Sequence, residues 1–109
     1  MQISIEAPTA QEMFELALNR KNYVVERFFP LLIDQVRAAA QEGRFSTERE
    51  FYHEKIKYTI EDLEKIADKF YELGFMVYVV KARDAIVIKW DAESLSKIAI
   101  LKAKYPTRR

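Results

Sequence analysis

One stretch decides the fold: TAQEMFELALNRKNYVVERFFPLLIDQVRAAAQE, residues 9–42. Its start is a capping box, because the Thr9 hydroxyl can accept from the backbone N–H of Glu12 while the Glu12 side chain reaches back to the N–H of Thr9. Its end is marked by Gly43, since glycine readily takes the left-handed conformation beyond a helix. The apolar residues in between recur at three- and four-residue steps: Phe14, Leu18, Val25, Phe28, Leu32, Val36 and Ala39. This spacing predicts a long amphipathic helix.

Two features interrupt the helical pattern. The polar run 19–22 is compatible with a helix break, a solvated turn of one helix or the end of a partner surface. Pro30 lacks a backbone donor and crowds the carbonyl four residues earlier, which costs about 3 kcal/mol in a straight helix. We therefore expect a kinked helix over 9–42 with the kink near 26–30, or two helices that meet there.

The residues around Pro30 are apolar on nearly every side of the helix. A helix that is apolar all round is buried on two sides, and in a short chain the second side can be core or another protein molecule. Periodicity does not separate these two interpretations, and we favour core. The residues predicted for a surface that would bind a protein partner or a second copy are Tyr23, Phe28, Phe29, Leu31 and Leu32.

The segments on either side of this helix are less distinct. Ile3–Ile5 alternates with polar residues like a short edge strand, and 44–50 is predicted to be a linker. The segment 51–58 fits a strand by its alternation, or part of a helix over 47–73 by its spacing. We favour the strand, because the run 59–62 is itself a strong helix start, with a hydroxyl cap and acids in the first turn.

A helix over 59–73 and an antiparallel hairpin over 75–90 complete the predicted fold. Gly74 ends the helix, and the strands of the hairpin are rich in valine, isoleucine and aromatic residues. The first of these strands is apolar on both faces, so we expect it to be central in the sheet. Asp91 can cap a short C-terminal helix. The prediction is a single α+β domain, 1–109, with a small antiparallel sheet packed by the two longer helices.

The amino-acid composition limits the classes of protein to which this chain can belong. Half of the residues are hydrophobic and 32% are charged, as in folded soluble domains. The absence of cysteine excludes disulfides, thiolate zinc sites and cysteine nucleophiles. No apolar run approaches the roughly 20 residues of a membrane span, and the N-terminus does not resemble a signal peptide. We therefore expect a cytoplasmic protein with no membrane partner.

The sequence offers no catalytic or metal-binding constellation. His53 is the one histidine, and without cysteine or a second histidine it cannot anchor a usual zinc site. Four acids of the 59–73 helix are interleaved with lysines and fit a solvated face: Glu61, Asp62, Glu64 and Asp68. Two glycines cannot build a phosphate loop. We predict that the protein is not an enzyme and uses no cofactor.

A basic C-terminal extension, 102–109, is the one feature that suggests a ligand class. After Glu93 the chain contains no acid. Cations near a terminus can contact phosphates, so an alternative function is nucleic-acid binding. The residues predicted for phosphate contacts are Lys97, Lys102, Lys104, Arg108 and Arg109.

The order of segments resembles a group of proteins. The chain has a helix that ends Leu73-Gly74-Phe75, then a valine-rich strand, then a last strand that ends Ile88-Lys89-Trp90. This pattern is similar to small accessory proteins of tailed bacteriophages, many of which end in Leu-Gly-aromatic-x-Val and Ile-x-Trp. The proline at 30, the length of the first helix and the basic extension depart from it. The resemblance implies a non-enzymatic protein of the host bacterial cytoplasm that binds a host or phage macromolecule or self-assembles as a homo-oligomer.

Overall fold

The computed structural model describes residues 7–108, and side chains are described for all of these except 19–21. In chain order the elements are α1 (Ala10–Lys21), α2 (Tyr23–Gln41), β1 (Ser46–Glu50), α3 (Ile60–Glu72), β2 (Met76–Val80), a 3₁₀ turn (Lys81–Arg83), β3 (Ala85–Lys89) and α4 (Ala92–Lys104). The predicted α+β class, the 59–73 helix, the hairpin and the C-terminal helix are confirmed. The strand predicted at Ile3–Ile5 lies outside the described residues.

The sheet has three antiparallel strands in the order β1-β3-β2. Ile88 lies between Thr47 and Val77 in the register, and Ile86 lies between Arg49 and Val79. Because residues two apart in a strand share a face, these six side chains lie on one face of the sheet. Helices α2 and α3 contact the strands and each other. The largest fully buried side chains are Phe28, Phe51, Phe70, Leu32, Leu63, Ile66, Ile86 and Ile88.

The start and end of α3 follow the predicted local chemistry. The Asp62 backbone N–H donates to the Thr59 hydroxyl at 3.1 Å, and the Thr59 N–H donates to the Asp62 carboxylate at 2.8 Å. This reciprocal pair satisfies donors that have no partner within the first helical turn. Gly74 follows the helix with a φ of 92°, a conformation that other residues adopt only with strain.

The long first helix is divided at Asn22 rather than near Pro30. Asn22 has φ −100° and ψ 0°, outside the helical region, and α2 continues through Pro30 without interruption. The prediction of two helices that meet at 26–30 is therefore wrong. Pro30 and Glu26 are both exposed, so the carbonyl that loses its helical partner can bond to water. Of the alternatives for the polar run, the helix break is the one the structure shows.

The predictions for 44–50 and 51–58 are also wrong. Residues 46–50 form β1, and 51–58 is an irregular turn rather than a strand or a helix. β1 has no apolar pattern because its inward residues, Thr47 and Arg49, are polar. Each has a partner from another segment, although the Nε of Arg49 is buried without a hydrogen bond. Gln35 donates to the Thr47 hydroxyl at 2.7 Å, and Arg49 pairs with Glu54 at 2.5 Å. Polar groups can be buried when their hydrogen bonds are made.

The predicted central strand is an edge strand. β3 lies between β1 and β2, because β1 pairs with the edge of β3 that does not face β2. The two apolar faces of β2 were the basis of the prediction, and both α3 and α4 contact this strand. Coverage by two helices thus explains the apolar pattern without a second neighbouring strand.

No helix within residues 7–108 is long and apolar enough to cross a membrane.

Two hydrogen bonds to Asp84, from Phe51 and from Tyr58, join the 51–58 turn to the hairpin, and we call this pair of bonds the latch. Asp84 has a φ of 45°, in the left-handed region that asparagine and aspartate tolerate better than most residues. Its carbonyl accepts from the N–H of Phe51 at 2.9 Å, and its carboxylate accepts from the Tyr58 hydroxyl at 2.5 Å. The hydrogen bond to Asp84, then burial and the charge of the carboxylate, raise the pKa of Tyr58 to about 12.

We predict that Tyr58→Phe lowers the free energy of unfolding by about 1 kcal/mol at neutral pH, because the phenol–carboxylate hydrogen bond is lost. The folded-state pKa lies above the ordinary value of 10.0, so the stabilisation is complete below pH 10 and is lost as the pH rises towards 12. Urea unfolding at about pH 7, 9 and 11 measures this difference.

The matched control is Tyr105→Phe, since the Tyr105 hydroxyl has no hydrogen-bond partner among the described residues. It should leave stability unchanged. A difference between the protein and Tyr58→Phe that stays constant from pH 9 to pH 11 would contradict the latch.

Candidate interaction surface

The predicted contact residues do not form one surface. Phe28 is 1% exposed and Leu32 is fully buried, so both belong to the core and are closed to a partner in this fold. Tyr23 and Phe29 are half-buried, and Leu31 is exposed. The structure thus favours the core interpretation for the centre of this segment, because α2 lies between β1 on one side and α3 on the other.

Aromatic contacts hold these α2 residues in place. The Phe28 ring meets Phe51 edge-on, with 5.1 Å between the ring centroids, and Phe29 meets Phe70 in the same way at 5.1 Å. The Arg49 guanidinium lies 5.4 Å from the centroid of the Phe28 ring. Such edge-to-face pairs contribute about 0.5–1.5 kcal/mol beyond the area they bury.

Four exposed apolar side chains lie instead on α1, which the sequence predicts as part of the long helix. Every described side chain of α1 is exposed. Phe14 is 58% exposed and Leu16 is 60% exposed, and Met13 and Leu18 are also exposed. An apolar patch of this kind on a folded protein commonly marks an interaction site. The spacing of Phe14 and Leu18 indicated an apolar face, but periodicity could not show that the face has no partner within the chain.

An open cleft separates α1 from the start of α3. Its volume is about 490 Å³, and its lining includes Ala17 on α1, Val24 on α2, and Tyr58 and Lys65 on the opposite side. The molecule as a whole measures 70 × 32 × 25 Å, with a radius of gyration of 18.3 Å. A compact domain of this length has a radius of about 13 Å. The elongated shape fits a helix that lies outside the core.

The basic extension is largely engaged by the protein itself. The Arg108 guanidinium contacts the Glu64 carboxylate and lies 3.3 Å from the Asp68 carboxylate, and its side chain is only 15% exposed. The Lys102 ammonium donates to the Glu72 carbonyl at 2.9 Å. The Tyr71 hydroxyl donates to the Tyr105 carbonyl at 2.5 Å. The segment after α4 therefore packs along α3.

The other predicted phosphate contacts also have local neighbours. Lys97 pairs with Glu93 at 2.9 Å on the exposed side of α4, and the Glu93 partner raises the pKa of Lys97. The Lys104 ammonium lies 5.4 Å from the centroid of the Tyr105 ring. Arg109 lies outside the described residues. Of these cations, Lys104 and Arg108 line one groove whereas Lys97 and Lys102 do not, and nucleic-acid binding stays a prediction.

His53 and the acids of α3 are the residues that a catalytic or metal site would use. His53 is exposed and its ring lies 3.8 Å from that of Tyr52. Glu64 and Asp68 are not on a solvated face as predicted, because Arg108 covers them. Within the part of the chain that the structure describes, no three histidine, aspartate or glutamate side chains converge as they would around a metal ion.

Comparison with protein-family models, curated proteins and solved structures found no match to this chain.

We predict that Arg108→Gln lowers the free energy of unfolding by about 1 kcal/mol, since it leaves two partly buried carboxylates without their cation. The loss should shrink in about 1 M salt, because added salt screens the charges. Urea unfolding at low and high salt measures both effects.

Lys104→Gln is the matched control, because it removes one charge from the same segment without breaking an ion pair. Equal stability losses for the two variants would show that the Arg108 contacts do not hold the segment.

Proposed function

We propose that this protein is a non-enzymatic interaction protein that self-associates through α1. The observation that carries the proposal is the exposure of Met13, Phe14 and Leu18 on a helix that lies outside the core. This moves the predicted contact surface from the centre of α2 to the preceding helix. A position in the host bacterial cytoplasm, as the likeness to phage accessory proteins implies, remains part of the proposal.

The apolar residues of α1 are arranged for helix pairing. Met13 and Ala17 are four residues apart, as are Phe14 and Leu18, so all four lie on one side of the helix. Glu12, Glu15 and Leu16 lie on the other side, and Gln11, at the border, donates to Glu15 at 3.3 Å. An isolated helix of 12 residues is marginal in water, and α1 makes few contacts with the rest of the chain. Packing against a second helix would stabilise it.

A second copy of the chain suits α1 by the distribution of charge along the helix. In the sequence of α1, the acids Glu12 and Glu15 occupy the first two turns, and the cations Arg20 and Lys21 stand at the end. When two such helices pair antiparallel about a two-fold axis, the acidic part of each faces the basic end of the other. The parallel arrangement would place like charges together. We therefore commit to an antiparallel homodimer.

We predict that Phe14→Lys weakens self-association at least about tenfold, because burial of a phenylalanine side chain is worth about 2–3 kcal/mol. Sedimentation velocity across about 1–300 µM protein measures the change. The rest of the protein, from α2 to α4, should remain folded, since Phe14 is not part of the core.

Leu16→Lys is the matched control, as it introduces the same side chain in place of an exposed apolar residue on the opposite side of α1. It should leave association unchanged. A monomer at all concentrations would refute self-association, and equal effects of the two variants would refute the assigned face.

A further inference from the structure

Within residues 7–108, β2 has one side that pairs with β3 and one side with no neighbouring strand. In an antiparallel ladder, the N–H and C=O of a given residue both point to the same neighbouring strand, and successive residues alternate. The Trp90 N–H bonds to the Phe45 carbonyl at 2.9 Å, and the Phe51 N–H bonds to the Asp84 carbonyl at 2.9 Å. These bonds lie just beyond the two ends of β3, and both join an even-numbered residue, Asp84 or Trp90, to the β1 side. By the alternation, the even-numbered residues of β3 bond to β1 and its odd-numbered residues bond to β2.

The alternation fixes which residues of β2 face outwards. Tyr78 stands opposite Val87, an odd-numbered residue, so Tyr78 bonds to β3. Val77 and Val79 must then direct their N–H and C=O away from the sheet. Neither valine has another backbone partner among the described residues. This edge therefore has two donors and two acceptors without a strand partner, at the spacing of an extended strand, while the Val77 side chain itself is buried in the core.

The opposite edge of the sheet is protected, which sets β2 apart. On β1 the outward carbonyl of Glu48 accepts from the Gln35 side chain at 2.9 Å. The side chains of Glu48 and Glu50 pair with Arg83 at 2.7 and 3.6 Å. Charged residues and a side-chain cap are the usual means of blocking an edge. The sequence of β2, Met-Val-Tyr-Val-Val, has no charge and no proline.

A groove lies beside the free edge of β2. Its volume is about 380 Å³, and Val77 and Tyr78 face Ile98, Leu101 and Tyr105 across it. Two cations, Lys104 and Arg108, and no acid are among its described lining residues. Arg108 already has its carboxylates, whereas Lys104 makes no ion pair with a described residue. The groove thus suits an extended, mainly apolar segment that carries an acid.

We propose that residues 2–6 of a second copy add to β2 as a fourth strand. This segment, Gln-Ile-Ser-Ile-Glu, alternates apolar and polar residues as a strand with one buried face does. It has five residues, as β2 has. Its backbone complements the outward groups of Val77 and Val79, and Glu6 supplies the carboxylate that Lys104 lacks. Addition of a strand to an exposed edge is a general mode of recognition.

The position of α1 favours a second copy over the same chain as the source of the strand. α1 has 12 residues and is therefore about 18 Å long, and it lies outside the core. Along the chain it stands between residues 2–6 and the rest of the protein, and α2 is the element that it contacts most. The proposal goes beyond the proposed function and does not require α1 to pair. In an antiparallel α1 dimer, each N-terminal segment would lie near the body of the partner.

Amide hydrogen exchange in the full-length protein tests the added strand. The amides of Val77 and Val79 should exchange about tenfold more slowly, or slower still, when the protein concentration is raised from about 20 to 500 µM. The double variant Ile3→Glu/Ile5→Glu should abolish this protection. The matched control Ser4→Glu alters the other face of the segment and should keep the protection.

A second pair of variants tests the edge itself. Val79→Pro removes an outward donor without removing a ladder hydrogen bond, whereas Val79→Ala keeps the donor. Only Val79→Pro should lower association in sedimentation, and a far-ultraviolet circular dichroism spectrum checks that each variant is folded. Should Val79→Pro unfold, the N-terminal variants decide the question alone.

Two results would overturn the proposal: exchange rates at Val77 and Val79 that do not depend on concentration, or equal protection in the Ile3→Glu/Ile5→Glu variant. Protection at every concentration would assign the strand to the same chain and refute a second copy as the source. Repeating the measurement in Phe14→Lys separates this strand from α1 pairing, because protection should persist there at high concentration.

Discussion

The packing of β1, the turn after it and α3 depends on the burial of one face of α2. Phe28 lies between β1 and the turn after it, and its edge-on contact with Phe51 joins the helix to a segment that has no regular structure of its own. Leu32, one turn further along α2, is also fully buried. Truncation of a buried phenylalanine or leucine typically costs 2–5 kcal/mol, which is a large part of the stability of a small domain. The proline in α2 is tolerated because it stands on the exposed side.

Local signals were sufficient for much of the fold. The caps at Thr59 and Asp91, the glycine at 74 and the valine- and isoleucine-rich hairpin strands each act within a few residues, so the sequence predicts α3, α4 and the hairpin. β1 was missed because Thr47 and Arg49 are polar at inward positions. Their partners, Gln35 and Glu54, are supplied by α2 and the following turn, and no short-range pattern reports them.

The candidate surfaces show the same difference between what a local pattern predicts and what tertiary contacts decide. Phe14 and Leu18 belong to a visible apolar stripe, yet only the folded chain shows that this part of the stripe is exposed while Phe28 and Leu32 are buried. The basic extension looked free because its acids are about 40 residues away in the chain: Arg108 pairs with Glu64 and Asp68. Composition gives the charge of a segment, but only tertiary contacts show whether that charge is already neutralised.

The protected edge of β1 has a consequence for the size of any assembly built on the sheet. With one edge closed by Gln35 and by charged side chains, each chain can accept one strand and can donate one. Two chains that exchange strands reciprocally satisfy both roles and stop at a pair. If each chain instead donates to a different neighbour, the assembly is head-to-tail, and it ends only when the rotation between successive chains closes a ring.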